Sequence, residues 1–264
     1  MDLKIKDKKA LVTGSTAGIG YATAKLLAAE GAAVIINGRK QEDVDKVVET
    51  IKNETDNPKV SGIAADFSKK ADIDNLLKQI PEVDILINNV GIYNQVPFEK
   101  ITDDEWFEMF DINVMSGVRL ARHYFPKMLA KNEGRIIFIS SESSQNIPTE
   151  MVHYGMSKTA QLSISRGLAR LSKGTNVTVN SVLPGPTWSR SNENGMKELA
   201  AETNQSVEDV VDEFFKNRRP TSLIQRFADN EEVANMIAYI ASPLSSATNG
   251  AALRVDGGVV NSII

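Results

Sequence analysis

ALVTGSTAGIG, residues 10–20, is the stretch that decides the fold, because an apolar run passes directly into a glycine-rich turn and then into a helix-like segment. Glycines let a backbone turn sharply and come close to a phosphate. The helix that follows such a turn offers unpaired N–H groups and the positive end of its dipole to an anion. A tight turn without a ligand is the alternative, but the position directly after a first strand favours a nucleotide.

The rest of the chain repeats this alternation of strand and helix. The strand candidates are residues 10–12, 33–36, 60–64, 83–87, 135–139, 177–182 and 251–255. The helical candidates are residues 19–30, 41–53, 70–80, 103–129 and a stretch that runs from about 154 to 172. Continuous apolar strands separated by helices are typical of a parallel sheet covered on both faces. The sequence therefore predicts an α/β fold, with a Rossmann-like, doubly wound, seven-stranded parallel sheet in a single domain over residues 1–264.

Several helix ends carry sequence signals. Thr102 to Glu105 form a capping box that opens one helix, and Gly31 follows another as a helix-ending glycine. Pro126 should kink or end the helix of residues 103–129. Residues from about 188 to 227 are polar and helical without a strand, and we interpret this insertion as a lid over a substrate pocket rather than a plain surface excursion.

Composition narrows the function classes. The 264 residues carry a net charge of −4 and include no cysteine and only two histidines, His123 and His153. These features exclude disulfides, thiolate metal sites and histidine-rich metal sites, and no motif points to any metal. An acidic chain without a basic stripe is not expected to bind nucleic acid. No signal peptide and no apolar run long enough for a membrane helix is found, so we expect a cytoplasmic protein that does not enter a membrane.

The end of the second strand candidate bears on the cofactor. In dinucleotide folds a carboxylate at this place usually holds the adenosine ribose 2′-hydroxyl, whereas a neighbouring arginine accommodates a 2′-phosphate. Here Asn37 and Gly38 are followed by Arg39 and Lys40, with no acid. The sequence thus favours NADP(H), and NAD(H) stays possible because Arg39 can also be read as a solvated loop charge.

Tyr154 and Lys158 form a candidate acid/base pair. Residues four apart share one helix face, so the phenol and the ammonium should point the same way. A nearby ammonium favours the phenolate and should lower the phenol pKa, which lets the tyrosine exchange a proton with a carbonyl or alcohol oxygen. Ser140 and Ser141 end the strand of residues 135–139, where open parallel sheets bind ligands. Ser143 and Ser144 are rivals for the same role.

Together these residues resemble the short-chain dehydrogenase/reductase family in its short single-domain form. Thr13-Gly14, Gly18 and Gly20 match its glycine motif. Further matches are Asn88-Asn89-Val90-Gly91, Asp66-Phe67, Pro184-Gly185 with Thr187, and Val255-Asp256-Gly257-Gly258. Asn113 and Ser141 precede Tyr154 by 41 and 13 residues, the spacing seen in the family. Val90 in place of alanine, and Ala17 in place of a basic residue before the second glycine, depart from the pattern.

The resemblance implies an oxidoreductase in which hydride passes between a nicotinamide cofactor and a carbonyl or secondary alcohol of a small molecule. Tyr154 would be the general acid/base, Lys158 would bind the nicotinamide ribose and lower the pKa of Tyr154, Ser141 would orient the substrate oxygen, and Asn113 would support a water chain. A homotetramer, or a homodimer, is implied as well. The implied cofactor-binding residues are Gly14, Ser15, Thr16, Gly18, Ile19, Gly20, Arg39, Asp66, Phe67, Asn89, Gly91, Tyr154, Lys158, Pro184, Gly185 and Thr187.

Two other functions stay open: a protein that binds NAD(P)(H) to sense or regulate without turnover, and a lyase or epimerase. Such proteins typically lack part of the Ser141, Tyr154 and Lys158 set, or are longer. Some residues have weaker claims. We expect His153 to be structural or at the substrate rim, Tyr93 to be a pocket-rim candidate, and Arg218 and Arg219 to be solvated rather than bound to an acidic substrate. We expect the aromatic residues in or near the proposed lid to form core under a helix pair, with the lining of a substrate pocket as the alternative for some of them: Trp188, Phe214, Phe215 and Phe227.

Overall fold

In the computed structural model, which describes residues 2–263, strands and helices alternate along the chain. The strands are β1 (Lys9–Val12), β2 (Ala33–Gly38), β3 (Ser61–Ala64), β4 (Ile85–Asn88), β5 (Gly134–Ile139), β6 (Val177–Pro184) and β7 (Ala252–Val255). The helices are α1 (Gly18–Ala29), α2 (Gln41–Thr55), α3 (Lys70–Gln79), α4 (Asp103–Phe110), α5 (Ser116–Lys131), α6 (Val152–Leu171), α7 (Arg190–Thr203), α8 (Val207–Asn217) and α9 (Asn230–Ala241). All neighbouring strands pair in parallel, in the order β3-β2-β1-β4-β5-β6-β7. The predicted seven-stranded parallel sheet is confirmed.

The core lies in two layers, one on each face of the sheet. Along β1, Val12 packs with Leu27 of α1 and Ile237 of α9, while its neighbour Leu11 packs in the other layer with Tyr124 of α5. Successive side chains of a strand point to opposite faces, so one apolar run supplies both layers. This explains why the strands appear in the sequence as continuous apolar runs, and it confirms helices on both faces.

The strand order reverses between β1 and β4, because the chain continues from β1 to β2 on one side and from β4 to β5 on the other. At such a switch point the loops after the two strands diverge and open a crevice at the carboxyl ends of the strands. The glycine turn follows β1, and the Asn88 to Gly91 motif follows β4, so the fold places both motifs at this crevice.

The predicted helix of residues 103–129 is two helices joined by a turn of π-helix. The Thr102 capping box opens α4, and the π turn covers Asp111–Met115 before α5 begins. The helix does not end at Pro126, because α5 continues to Lys131. Pro126 has no N–H to donate to the carbonyl of Arg122, four residues earlier in the helix. Both residues are exposed, so water can form a hydrogen bond with that carbonyl instead.

The insertion of residues 188–227 folds as α7 and α8, as the sequence predicts, and its two ends meet. Thr187 and Ala228 form an isolated parallel bridge, and the backbone N–H of Trp188 donates to the Ala228 carbonyl at 2.8 Å. The helical pair therefore leaves and rejoins the sheet edge at one place. Within residues 2–263, no helix combines the length and apolarity needed to cross a membrane.

Candidate active site

The glycine turn after β1 has the conformations that its glycines allow. Gly14 and Gly18 have φ angles of +59° and +58°, in the left-handed region that favours glycine. Gly20 has ordinary helical geometry, but a Cβ on it would lie 2.4 Å from the Gly14 carbonyl oxygen and 2.5 Å from the Asn89 side-chain nitrogen. Gly20 is thus required because the turn folds back directly on the first turn of α1.

Two asparagines hold this turn from either side. The Asn37 side chain, buried at the end of β2, accepts from the Gly14 backbone N–H at 3.1 Å. The Asn89 amide donates to the Thr13 and Gly14 carbonyls, each at 3.0 Å. In the sequence, Asn37 indicates only that no carboxylate stands at the end of the second strand. Its role in the turn depends on a contact 23 residues away along the chain.

The crevice beside the turn is a slot of about 200 Å³, and predicted site residues from five separate segments meet there. They are Ile19, Asn89, Gly91, Ser141, Tyr154, Lys158, Pro184, Gly185 and Thr187. Gly185 packs directly on the Asp256 backbone, since a Cβ there would lie 2.5 Å from the Asp256 carbonyl oxygen. A glycine turn at a helix N-terminus beside a slot between the sheet edge and the insertion of residues 188–227 fits a dinucleotide. The glycine turn would hold the pyrophosphate and the slot would hold the nicotinamide end.

The other predicted cofactor residues lie farther along the same sheet edge. Arg39 is exposed at the end of β2 and makes no ion pair or hydrogen bond within the described chain, while its charge helps to lower the pKa of the Asp66 carboxyl. The larger causes of that lowered pKa are hydrogen bonds from Ser68. Phe67 does not face the crevice: it is buried in the core layer around Leu11. Its side chain is therefore unavailable to an adenine ring.

Tyr154, Ser141 and Lys158 form one constellation at the inner end of the slot. The Ser141 hydroxyl is hydrogen-bonded to the Tyr154 phenol. The Lys158 ammonium lies 5.6 Å from the centre of the Tyr154 ring and donates to the Ile139 carbonyl oxygen at 2.9 Å. The first turns of α6 and the end of β5 position these groups, and Gly91 leaves room for the ammonium, since a Cβ there would lie 3.3 Å from it.

Burial sets the pKa values of this pair. Desolvation raises the pKa of the Tyr154 phenol to about 12; the Ser141 hydrogen bond opposes this rise, whereas the charge of Glu142 adds to it. Desolvation also lowers the pKa of the Lys158 ammonium to about 8. Burial disfavours the charged form of both groups, and Lys158 is not among the causes of the pKa shift of Tyr154, so its predicted lowering of that pKa stays a prediction.

Of the four candidate serines, Ser141 alone is bonded to Tyr154. The Ser140 hydroxyl donates to the Lys158 carbonyl and so ties α6 to β5. The hydroxyls of Ser143 and Ser144 donate to Glu142 and to the Ser141 carbonyl. These three rivals are therefore occupied in holding the local backbone.

Asn113 lies behind the slot, in the π turn between α4 and α5. Its side chain accepts from the Ile92 N–H at 2.7 Å and donates to the Ile92 carbonyl and to the Ser157 hydroxyl. Its backbone carbonyl accepts from the Gln161 amide at 2.6 Å. Asn113 thus joins the loop after β4 to α6.

The neighbouring aromatic residues divide between core and rim. His153 is fully buried against Trp106 and bonded to Asn94 at 2.6 Å, which confirms a structural position. Tyr93 is exposed at the rim, with its ring 6.1 Å from that of Tyr154. Its hydroxyl donates to Asn192 of α7 at 3.4 Å, a contact between the loop after β4 and the insertion.

A cavity of about 740 Å³ opens from Tyr154 and Ser141 beneath α7 and α8. That volume falls within the usual range of small-molecule pockets. The predicted aromatic core is present, since Phe227 packs against Trp188, Phe214 and Phe215 with ring centres 5.0–5.2 Å apart. Residues 2–263 contain no cluster of three or more potential metal ligands.

Glu142 and Arg219 form a buried ion pair in the wall of this cavity. The Arg219 guanidinium donates to the Glu142 carboxylate at 3.2 Å, and their side chains are 13% and 4% exposed. The prediction that Arg219 is solvated is wrong; Arg218, next to it, is mostly exposed, 3.8 Å from Glu150. Sequence reasoning missed Glu142 entirely, and its only signal was an acid directly after Ser141.

Comparisons with known proteins agree with this geometry. The family described as short chain dehydrogenase matches residues 8–200. Two Bacillus subtilis proteins, the uncharacterized oxidoreductases YvrD and YvaG, are each 49% identical to the chain over the full length of both partners. Among solved structures, L-sorbose reductase from Gluconobacter frateurii complexed with NADPH and L-sorbose superposes with a TM-score of 0.92 at 28% identity, and all of both chains is covered.

Proposed function

The chain belongs to the short chain dehydrogenase family and is an NAD(P)-dependent oxidoreductase, and we propose that it passes hydride between NADP(H) and a small ketone, aldehyde or secondary alcohol, with Tyr154 as general acid/base. The observation that carries this proposal is the convergence of Tyr154, Ser141 and Lys158 where the nicotinamide slot meets the larger cavity. A substrate that enters through the cavity reaches the phenol and the slot at one point.

The roles follow from the contacts of each group. In reduction, the Tyr154 phenol gives its proton to the carbonyl oxygen as negative charge develops there, and in oxidation it takes the proton back. The Ser141 hydroxyl, already bonded to the phenol, stabilises the same oxygen. The Lys158 ammonium stabilises the phenolate that remains, at a distance fixed by its bond to Ile139. Asn113 positions the loop after β4 against α6.

We propose that α7 and α8 act as a lid, because they roof the cavity and are joined to the sheet edge at the Thr187–Ala228 bridge. We also propose a homotetramer or homodimer, the arrangement that the family resemblance implies.

An assay of substrates and cofactors tests this proposed function. We expect the protein to oxidise or reduce members of a panel of ketones, aldehydes and secondary alcohols, followed by the absorbance of the reduced nicotinamide with NADP(H) and with NAD(H). The similarity to a sorbose reductase makes ketoses and polyols the first compounds to include. Tight cofactor binding without turnover of any compound would instead support the regulatory, catalytically silent alternative.

Arg39 should decide the cofactor preference. It is the first residue after β2, it is exposed and free of partners within residues 2–263, and no acid stands at the strand end. Replacing Arg39 by aspartate should weaken NADPH binding at least about tenfold and leave NADH binding almost unchanged, since a charge-assisted contact to the 2′-phosphate is lost. The measurement is a fluorescence titration of each reduced cofactor.

Lys46→Asp is the matched control, because it reverses the charge of an exposed residue on α2. This replacement should change neither the NADPH nor the NADH affinity. If the wild-type protein binds NADH more tightly than NADPH, the assignment of Arg39 to the phosphate is wrong.

A further inference from the structure

The buried carboxylate of Glu142 has one oxygen without a partner. Its Oε1 accepts from Arg219 and Ser143, whereas its Oε2 is buried and makes no hydrogen bond within the described part of the chain. A buried acceptor without a donor is costly, and for a charged group the cost is larger. Natural proteins therefore rarely leave such an atom unpaired unless a ligand or water supplies the donor.

The position of Glu142 ties this oxygen to the reaction centre. Glu142 directly follows Ser141, it lines the same cavity as Tyr154, and its charge acts on the Tyr154 phenol. Arg219 lies in the segment after α8, 77 residues from Glu142 in the sequence. Its ion pair with Glu142 holds the carboxylate in place. Glu142 thus lies in the same cavity wall as Ser141 and Tyr154, the groups proposed to hold the carbonyl oxygen.

The chemistry of the wider cavity indicates which ligand would bring the donor. Among its described lining residues are four glutamates and only two arginines, Arg218 and Arg219, both of which face glutamates. An anionic substrate would meet net negative charge. The amides of Gln95, Asn192 and Asn217 also line the cavity and offer hydrogen bonds to neutral hydroxyls.

We propose that Glu142 determines specificity by accepting a hydrogen bond from a substrate hydroxyl on the carbon next to the reacting carbon, so that the substrates are neutral α-hydroxy ketones or aldehydes and the corresponding vicinal diols. Ketoses and polyols belong to this class. This inference rests on the proposed oxidoreductase function and adds the substrate class. A substrate with an alkyl group in place of the hydroxyl leaves the carboxylate buried and unpaired, which is the situation in which enzymes discriminate most strongly.

Hydroxyacetone and butanone test the proposal, because they differ by a methyl group in place of the hydroxyl next to the carbonyl. With NADPH, the wild-type protein should show a kcat/KM at least about 30-fold higher for hydroxyacetone. Glu142→Gln should lower kcat/KM for hydroxyacetone about 10- to 100-fold and for butanone less than about threefold. The affinity for NADPH should stay unchanged. Glu202→Gln, the same change on the exposed face of α7, is the control and should behave as wild type.

Equal kcat/KM of the wild type for the two ketones would overturn the proposal, as would an equal loss on both ketones in Glu142→Gln. The wild-type comparison decides the matter even if that variant does not fold. Propylene glycol is a vicinal diol, and sec-butanol carries a methyl group in place of its second hydroxyl. Calorimetric binding of both to the NADP⁺-loaded protein tests the substrate class separately from the oxidoreductase function. If the protein binds the diol more tightly than sec-butanol, loses this preference in Glu142→Gln and turns over no substrate, the oxidoreductase mechanism alone is refuted. If the protein turns over substrates without this preference, the substrate class alone is refuted.

Discussion

Replacing Tyr154 by phenylalanine should remove nearly all turnover, by at least about a thousandfold in kcat, and should leave NADPH binding close to that of the wild type. Removing a positioned acid/base group costs about 10² to 10⁴ in rate, and here the lost hydroxyl is also the one bonded to Ser141. The ring itself stays, so its packing against Tyr93 and the position of the Lys158 ammonium should persist. The measurement is the single-turnover rate with a substrate from the panel, together with a cofactor titration.

Tyr124→Phe is the matched control for this experiment. Tyr124 is fully buried in the core layer around Leu11, lines neither the slot nor the cavity, and donates its hydroxyl to the Ile80 carbonyl at 2.8 Å. The same loss of one hydroxyl should therefore cost about 1 kcal/mol of stability without changing kcat. If Tyr154→Phe kept turnover within about tenfold of the wild type, the phenol would not be the proton donor.

The parts of the fold that were predictable depend on local patterns. Apolar runs such as 33–36 and 136–139 correspond to β2 and β5, because strands buried on both faces are rich in apolar residues. The Thr102 capping box and the left-handed Gly31 also act within a few residues of sequence. Pro126 shows the limit of local reasoning, since whether a proline ends a helix depends on whether solvent reaches the carbonyl it displaces.

In the candidate site, too, some features could be predicted from the sequence and others depend on contacts between distant residues. The motif residues that meet in the slot follow strands whose order is fixed by the sheet, so their proximity was predictable once the fold was known. Glu142 and Arg219 were not predictable, because they lie 77 residues apart in sequence and Arg219 belongs to the insertion. The raised pKa of Tyr154 was also missed, since desolvation depends on the closed surroundings of the phenol and not on its spacing from Lys158.

Replacing Gly20 by alanine should have the second large effect, on cofactor binding and stability together. The added Cβ would lie within 3.0 Å of the Gly14 carbonyl oxygen, the Asn89 side-chain nitrogen and the Ser15 Cα, and two of these atoms belong to the backbone. Backbone cannot rotate away as a flexible side chain can, so the glycine turn must open. We expect a loss of about 2–3 kcal/mol in the free energy of unfolding and at least about a tenfold weaker affinity for NADPH.

Gly167→Ala separates this steric effect from the general consequences of a glycine replacement. Gly167 also lies in a helix, α6, but a Cβ there meets nothing within 4 Å. Alanine at that place should stabilise the protein by up to about 1 kcal/mol through its higher helix propensity, and cofactor affinity should not change. Urea unfolding and a fluorescence titration of both variants provide the comparison. A Gly20→Ala protein that bound NADPH as tightly as the wild type would show that the turn after β1 does not need its close approach to α1 in order to hold the cofactor.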